Sequence, residues 1–152
     1  MKIDYKRLII SIIIPVGLGA IVGLLTSSSS YKDMVQPPFA PPGILFPIVW
    51  TILYILMGIS SYIISKSNNI LKSDALFTYY LQLGVNLLWS FFFFTFKWYW
   101  FSAIWIILLI YLVIKMIKKF YNISRLSGYL QIPYLLWLLF ALILNISIAI
   151  LN

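Results

Sequence analysis

Cysteine, histidine and glutamate are absent from this chain, and acid is confined to three aspartates, Asp4, Asp33 and Asp74. Without thiolate or imidazole, the usual zinc, copper and iron centres are excluded, and so are disulfides. A histidine-based triad is excluded too, and a paired-carboxylate hydrolase would have to unite aspartates from three different polar segments. Charge of either sign is scarce, 9% of 152 residues, against about 25% in soluble domains. The missing cysteines leave the redox compartment open. What fills the chain is apolar: 63% hydrophobic residues and a mean hydropathy of +1.03. Such a composition belongs in a bilayer, and at about 20 residues per span the chain holds at most about six helices. No room is left for a separate soluble catalytic domain.

Continuous apolar stretches predict five spans over residues 8–25, 44–65, 75–96, 99–117 and 129–151. The expected fold class is all-α, an integral membrane bundle of five transmembrane helices forming one domain. A β-barrel is disfavoured because runs such as Ile104 to Ile110 do not alternate. The first stretch has a signal-peptide alternative, with Lys2, Lys6 and Arg7 ahead of it and Ser27 to Ser30 as small residues after it. Its apolar part is longer than the usual 7–15 residues and no A-x-A-like site follows.

Basic residues divide unequally between the two sides. Lys2, Lys6, Arg7, Lys66, Lys72, Lys115, Lys118, Lys119 and Arg125 fall on one side, and only Lys32 and Lys97 on the other. Under the positive-inside rule this puts the N-terminus in the cytoplasm and the C-terminus outside a bacterial plasma membrane. The net charge of +8 is then mostly a topological signal. A nucleic-acid partner is not expected, since the charges are split among short connections rather than gathered in a patch.

The connection over residues 26–43 is long for a structureless loop and carries Pro37, Pro38, Pro41 and Pro42. It reads as a stiff cover on the outer face. Within the spans, Gln82, Asn86 and Ser90 recur at i, i+4, i+8 on one helical face, with Asn86 about 16 Å from the inner edge. An amide at that depth must bond another helix, a backbone group or a ligand, and plain interhelical bonding is a sufficient reason for it. Tyr134, Trp137, Ala141 and Asn145 share a second face; Trp50, Tyr54, Met57 and Ser61 share a third. Any one such stripe is adequately explained as core.

Taken together they are more specific. Rings at Trp50, Trp89 and Trp137, polar groups at Tyr31 and Asn86, and a small residue at Ala141 beneath a proline-rich cover suit a flat, apolar ligand held by stacking and oriented by one or two polar groups. Trp98, Tyr99 and Trp100 beside Lys97 read as belt anchors at the outer boundary. No acid lies within a span, and Lys115 is near enough to a helix end to snorkel, so ion-coupled transport is disfavoured. Gly19 and Gly23 form a GxxxG, with Gly17 and Pro15 close by, whose contact is either within the bundle or between protomers. Leu109, Tyr111 and Lys115 form a weak sterol-like pattern.

These residues resemble the translocator protein family, also called tryptophan-rich sensory proteins or peripheral-type benzodiazepine receptors. The resemblance rests on Tyr31 with residues 38–43, PFAPPG; on residues 46–54, FPIVWTILY; on Gln82 and residues 86–89, NLLW; on residues 133–137, PYLLW; and on Leu144-Asn145. It implies a five-helix protein, often homodimeric, that binds porphyrins such as protoporphyrin IX, haem-like tetrapyrroles and benzodiazepine-site ligands beneath the first loop. In relatives the positions matching Tyr31, Trp50, Asn86, Trp137 and Ala141 line that pocket. The candidate ligand-binding set adds Pro41, Tyr54, Gln82, Trp89 and Asn145. Some bacterial relatives degrade protoporphyrin in light, which would make Tyr31 and Trp137 the catalytic candidates. No metal or cofactor is expected.

This chain departs from the family at Ser30 and Phe39, where tryptophan is common, and after Asn145, where the sterol-recognition motif of animal relatives is missing. Cholesterol binding is therefore not carried over. Three readings stand: a receptor or carrier for porphyrin-like ligands, a light-dependent porphyrin-degrading enzyme, and a membrane scaffold without its own ligand.

Overall fold

The computed structural model describes residues 2–26 and 29–152. Among them there is no strand. Ser27 and Ser28, on which the cleavage alternative rested in part, lie outside the described residues, as do the side chains of Ser29 and Ser30.

Helix α1 (Tyr5–Thr26) is followed by the short α2 (Ser29–Lys32), then α3 (Leu45–Lys66), α4 (Lys72–Ser90) and a π-helical turn at Phe91–Thr95. Helix α5 (Tyr99–Ile123), the short α6 (Arg125–Leu130) and α7 (Ile132–Leu151) complete the chain. Five segments are long and apolar enough to cross a membrane: Tyr5–Thr26, Leu45–Lys66, Lys72–Thr95, Tyr99–Ile123 and Arg125–Leu151.

The helix bounds differ from expectation at one end of the bundle. Helix α5 runs on past residue 117 and absorbs Lys118 and Lys119, because lysine continues a helix well and the charged end projects toward water. The loop expected over residues 118–128 is reduced to Ser124, whose extended backbone (φ −149°, ψ 119°) caps α6 by accepting from the Ser127 N–H. Lys119 pairs with Asp74 at 2.8 Å and donates to the Thr78 hydroxyl at 2.9 Å, tying α5 to α4 there.

Helix α1 starts at an aspartate cap: the Arg7 N–H donates to Asp4 Oδ1 at 3.2 Å. The Asp4 N–H donates to the Tyr62 hydroxyl at 2.8 Å, pinning the start of α1 to the end of α3. These helices meet through glycine. A Cβ on Gly58 would lie 2.5 Å from Ile12 Cα and 2.7 Å from Ser11 O, and one on Gly19 would run into the Tyr54 ring. The GxxxG of α1 is thus divided: Gly19 serves the bundle, whereas a Cβ on Gly23 would meet no neighbouring element within 4 Å. Most of α1 otherwise faces outward, with Ile9, Ile13, Ile21 and Leu24 exposed to the surrounding lipid.

Helix α5 packs against both α4 and α7. The π turn shifts the helical register by one residue and ends in Lys97 at φ 57°, with the Phe96 N–H reaching Phe91 O at 2.9 Å and the Trp98 N–H reaching Phe92 O at 2.8 Å. A left-handed lysine costs about 1–2 kcal/mol where glycine would cost little. At the opposite end α6 locks onto α3, where the Ser60 hydroxyl donates to Ser127 O at 2.8 Å and the Ser127 hydroxyl returns to Ser60 O at 3.4 Å. The sterol-like pattern does not form a surface: Leu109 is buried in the core, whereas Tyr111 and Lys115 are exposed, because positions two apart lie on opposite sides of a helix.

Candidate functional site

The aromatic and amide positions converge where α3, α4, α5 and α7 meet. Trp50 from α3, Asn86 and Trp89 from α4, Ile106 and Leu109 from α5, and Leu138 and Ala141 from α7 line one cavity of about 10 Å³. That volume admits about one water molecule. The site is therefore closed by its own side chains, and a larger ligand has to displace some of them.

On the far side of the cavity from the lid, a chain of hydrogen bonds joins three helices. The Tyr54 hydroxyl donates to Asn86 Oδ1 at 2.7 Å, Asn86 Nδ2 donates to the Tyr134 hydroxyl at 2.7 Å, and that hydroxyl donates to Gln82 Oε1 at 2.8 Å. All four side chains are buried. The network answers the question raised by an amide deep in the bilayer: Asn86 bonds other helices through both ends of its carboxamide. Gln82 serves Tyr134 rather than the cavity, and its Nε2 has no partner. Tyr134 was recognisable as part of an inward-facing stripe, but nothing in the spacing singled it out as the partner of both amides.

Trp89 is fixed from behind. Its Nε1 donates to Asn145 Oδ1 at 3.0 Å, and Asn145 Nδ2 donates to the Tyr99 carbonyl at 2.8 Å. Asn145 thus orients a cavity ring without lining the cavity itself. Tyr99 is not the simple belt anchor expected: it is half-buried and packs edge-on against Phe93 with centroids 5.4 Å apart. Trp98 and Trp100 are exposed, as belt residues are. Trp105 escaped the sequence reading; its Nε1 donates to Val85 O at 2.7 Å and ties α5 to α4.

Above the cavity residues 31–43 form a braced lid. Tyr31 is only 2% exposed and its hydroxyl donates to Pro41 O at 2.8 Å, while Gln36 Nε2 donates to Tyr31 O at 2.7 Å. Burial pushes the Tyr31 phenol above its ordinary value, which keeps it neutral. Rings connect the lid to α7 in series: Tyr31 meets Phe46 edge-on at 5.0 Å, Phe46 meets Trp137 at 6.0 Å, and Trp137 meets Phe140 at 5.3 Å. Trp50 stacks on Tyr54 at 5.5 Å and touches the edge of Tyr134 at 6.1 Å. Trp137 itself does not line the cavity, and its buried Nε1 has no hydrogen-bond partner. Phe46, the hinge of this series, stands in the FPIVW block but carried no signal of its own. Among the described residues no His, Cys, Asp or Glu cluster could hold a metal ion.

Comparison with known proteins gives a consistent result. The TspO/MBR family profile matches residues 11–151. The "Tryptophan-rich protein TspO" of Archaeoglobus fulgidus is 37% identical over 149 residues, covering 96% of this chain and 97% of the relative. The "Tryptophan-rich sensory protein" of Cereibacter sphaeroides is 30% identical over 154 residues, covering 100% and 95%. The "Translocator protein" of Bos taurus is 30% identical over 118 residues, covering 76% and 70%.

Proposed function

The chain belongs to the TspO/MBR family, and from that premise we propose that it is a membrane receptor or carrier for porphyrins, protoporphyrin IX and haem-like tetrapyrroles among them, and for benzodiazepine-site ligands. Family membership supports the broader statement, an integral membrane protein with a sensory or translocator role. The observation that carries the finer reading is the convergence of Trp50, Asn86, Trp89 and Ala141 on one cavity, capped by a lid of rings. Stacking supplies affinity, and a few fixed polar groups supply orientation. The unpartnered Trp137 N–H is a donor such a ligand can use.

Because the cavity admits about one water molecule, a tetrapyrrole binds only a rearranged lid end, and its apparent affinity is lowered by the rarity of that state. The charge asymmetry of the sequence favours a bacterial plasma membrane, with the lid on the outer side. Saturable dark quenching of tryptophan fluorescence by protoporphyrin IX, reversed by a benzodiazepine-site competitor, is the expected result. Absence of saturable binding moves the scaffold reading to the front.

Light-dependent porphyrin breakdown is a second reading with one observation in its favour. Phe46 bridges Tyr31 and Trp137 edge to edge, so a ring oxidised beside a photoexcited ligand lies in series with a buried phenol. New absorbance bands on illumination in air, lost in Tyr31→Phe and Trp137→Phe even at porphyrin concentrations that saturate the weakened dark binding of Trp137→Phe, support the enzyme over the carrier.

A further inference from the structure

The lid end holds a second concavity, much larger than the buried one. Where α5 begins and α7 ends, a groove of about 680 Å³ is lined by Lys97, Trp98, Trp100, Phe101, Ile150 and Asn152, with Tyr99 and Ala149. The groove is open to the surroundings, so a flat molecule can lie against its wall without being enclosed. We propose that the groove is the first docking site for a flat aromatic acid, the carboxylated porphyrin, which from there passes beneath the lid; the inference rests on the function proposed above.

Three features fit that occupant. The aromatic wall is preset: Trp98 lies parallel to Phe92 (centroids 6.0 Å, interplanar 10°), stacks on Phe96 at 4.8 Å and meets Phe101 edge-on at 5.8 Å, yet is still 52% exposed. About half of its surface is left open to a further contact. The only charged side chain lining the groove is basic, while the end of α7 brings its last carbonyls to the other edge. Lys97 is exposed and forms no salt bridge with a described residue, no acidic side chain is among the lining, and α5 starts there without a side-chain cap on its first amides. Lys97 is also the one non-glycine residue at positive φ among those described. The turn into α5 calls for a left-handed residue, which glycine supplies more easily; nothing in the fold calls for an ammonium group.

The groove is also wired to the lid and to the buried cavity. The Asn152 carboxamide grips the lid backbone at Val35 from both sides, with Oδ1 accepting from the Val35 N–H at 3.2 Å and Nδ2 donating to the Val35 carbonyl at 2.9 Å. Nδ2 also donates to Ile148 O at 2.8 Å. An occupant that engages Asn152 therefore competes with the clasp that holds the lid down. Behind the groove, the Tyr99 carbonyl receives Asn145, which holds Trp89 of the buried cavity. Asn145 thus bonds one lining residue of each concavity.

Stopped-flow association in the dark, in nanodiscs of neutral lipid, tests this with protoporphyrin IX and its dimethyl ester. Lys97→Gln is expected to slow association of the diacid at least fivefold and to leave the ester within twofold of wild type. Lys97→Gly should slow the diacid equally while its thermal midpoint stays at or above wild type, which separates loss of charge from loss of fold. Asn152→Ala should speed the later, lid-limited phase. Diacid association unchanged in both Lys97 variants, with Trp137→Phe still weakening binding, overturns the groove and leaves the proposed function standing. Equal slowing of diacid and ester also overturns it, since a carboxylate is then not what Lys97 recognises. Wild type that binds neither porphyrin overturns both.

Discussion

The two ends of the bundle are held together by different means. Opposite the lid, helices touch through backbone: Gly58 against Ile12 and Ser11, Gly128 against Tyr121, and the reciprocal Ser60–Ser127 pair, all around fully buried Ile64, Val113, Met116 and Phe120. At the lid end, contact is made by rings and by side-chain hydrogen bonds to the loop backbone, with a cavity among them and an indole N–H left over. Backbone contacts through glycine admit no adjustment, whereas ring contacts of about 0.5–1.5 kcal/mol each can be exchanged for a ligand's ring. The difference marks one end as scaffold and the other as the part that rearranges.

The largest expected effect comes from wedging the scaffold apart. Gly58→Val places new carbon within 2.5–3.0 Å of Ile12 and Ser11 and should cost about 3 kcal/mol, read as a lowered thermal midpoint in detergent. Next is Asn86→Leu, which strands the Tyr54 hydroxyl and removes a donor to Tyr134 inside the bundle. A loss of about 1–3 kcal/mol is expected, together with weaker ligand binding, because the network joins the scaffold to the site.

Smaller still is Tyr31→Phe, which removes the bond to Pro41 O at about 1 kcal/mol and loosens the lid, seen as faster amide exchange over residues 33–43. The same bond sets a pH dependence. Burial raises the Tyr31 phenol, so its contribution is fully present below the ordinary phenol value and is lost as pH rises through the raised one. Protection of the lid amides against exchange should therefore not respond to the titration of this group near neutrality and should fall in strong alkali, and Tyr31→Phe should abolish that fall.

Much of this was legible beforehand because it depends on composition and spacing alone. Five apolar runs fix five spans, and a polar residue deep in lipid has to face inward, which placed Gln82 and Asn86 correctly. The side-chain partnerships were not legible. Nothing in the spacing says that Tyr134 sits between Asn86 and Gln82, or that Asn145 holds Trp89, since these bonds depend on how α4 and α7 rotate against each other. The π turn at Phe91–Thr95 is a register choice made by packing, and the consecutive phenylalanines carry no mark of it. Lys118 and Lys119 suggested a loop because charge ends an apolar run, yet helical structure outlasts the bilayer. Least visible of all was the closure of the site, because aromatic stripes show which rings meet but not how tightly.

The central claim is that the lid end binds the ligand and the opposite end only supports it. It is tested most directly by a dark titration of protoporphyrin IX into wild type, Trp137→Phe and Ser127→Ala, with thermal midpoints measured on the same samples. Trp137→Phe removes an indole N–H that bonds nothing in the protein, so its stability should stay within about 1 kcal/mol of wild type while affinity falls about tenfold. Ser127→Ala removes the 3.4 Å half of the lock on α3 and leaves the Ser60 bond to the Ser127 carbonyl in place, so it should lower the midpoint modestly while leaving the dissociation constant within about twofold. Equal binding by wild type and Trp137→Phe, or a loss of affinity in Ser127→Ala as large as in Trp137→Phe, would contradict this division of the molecule.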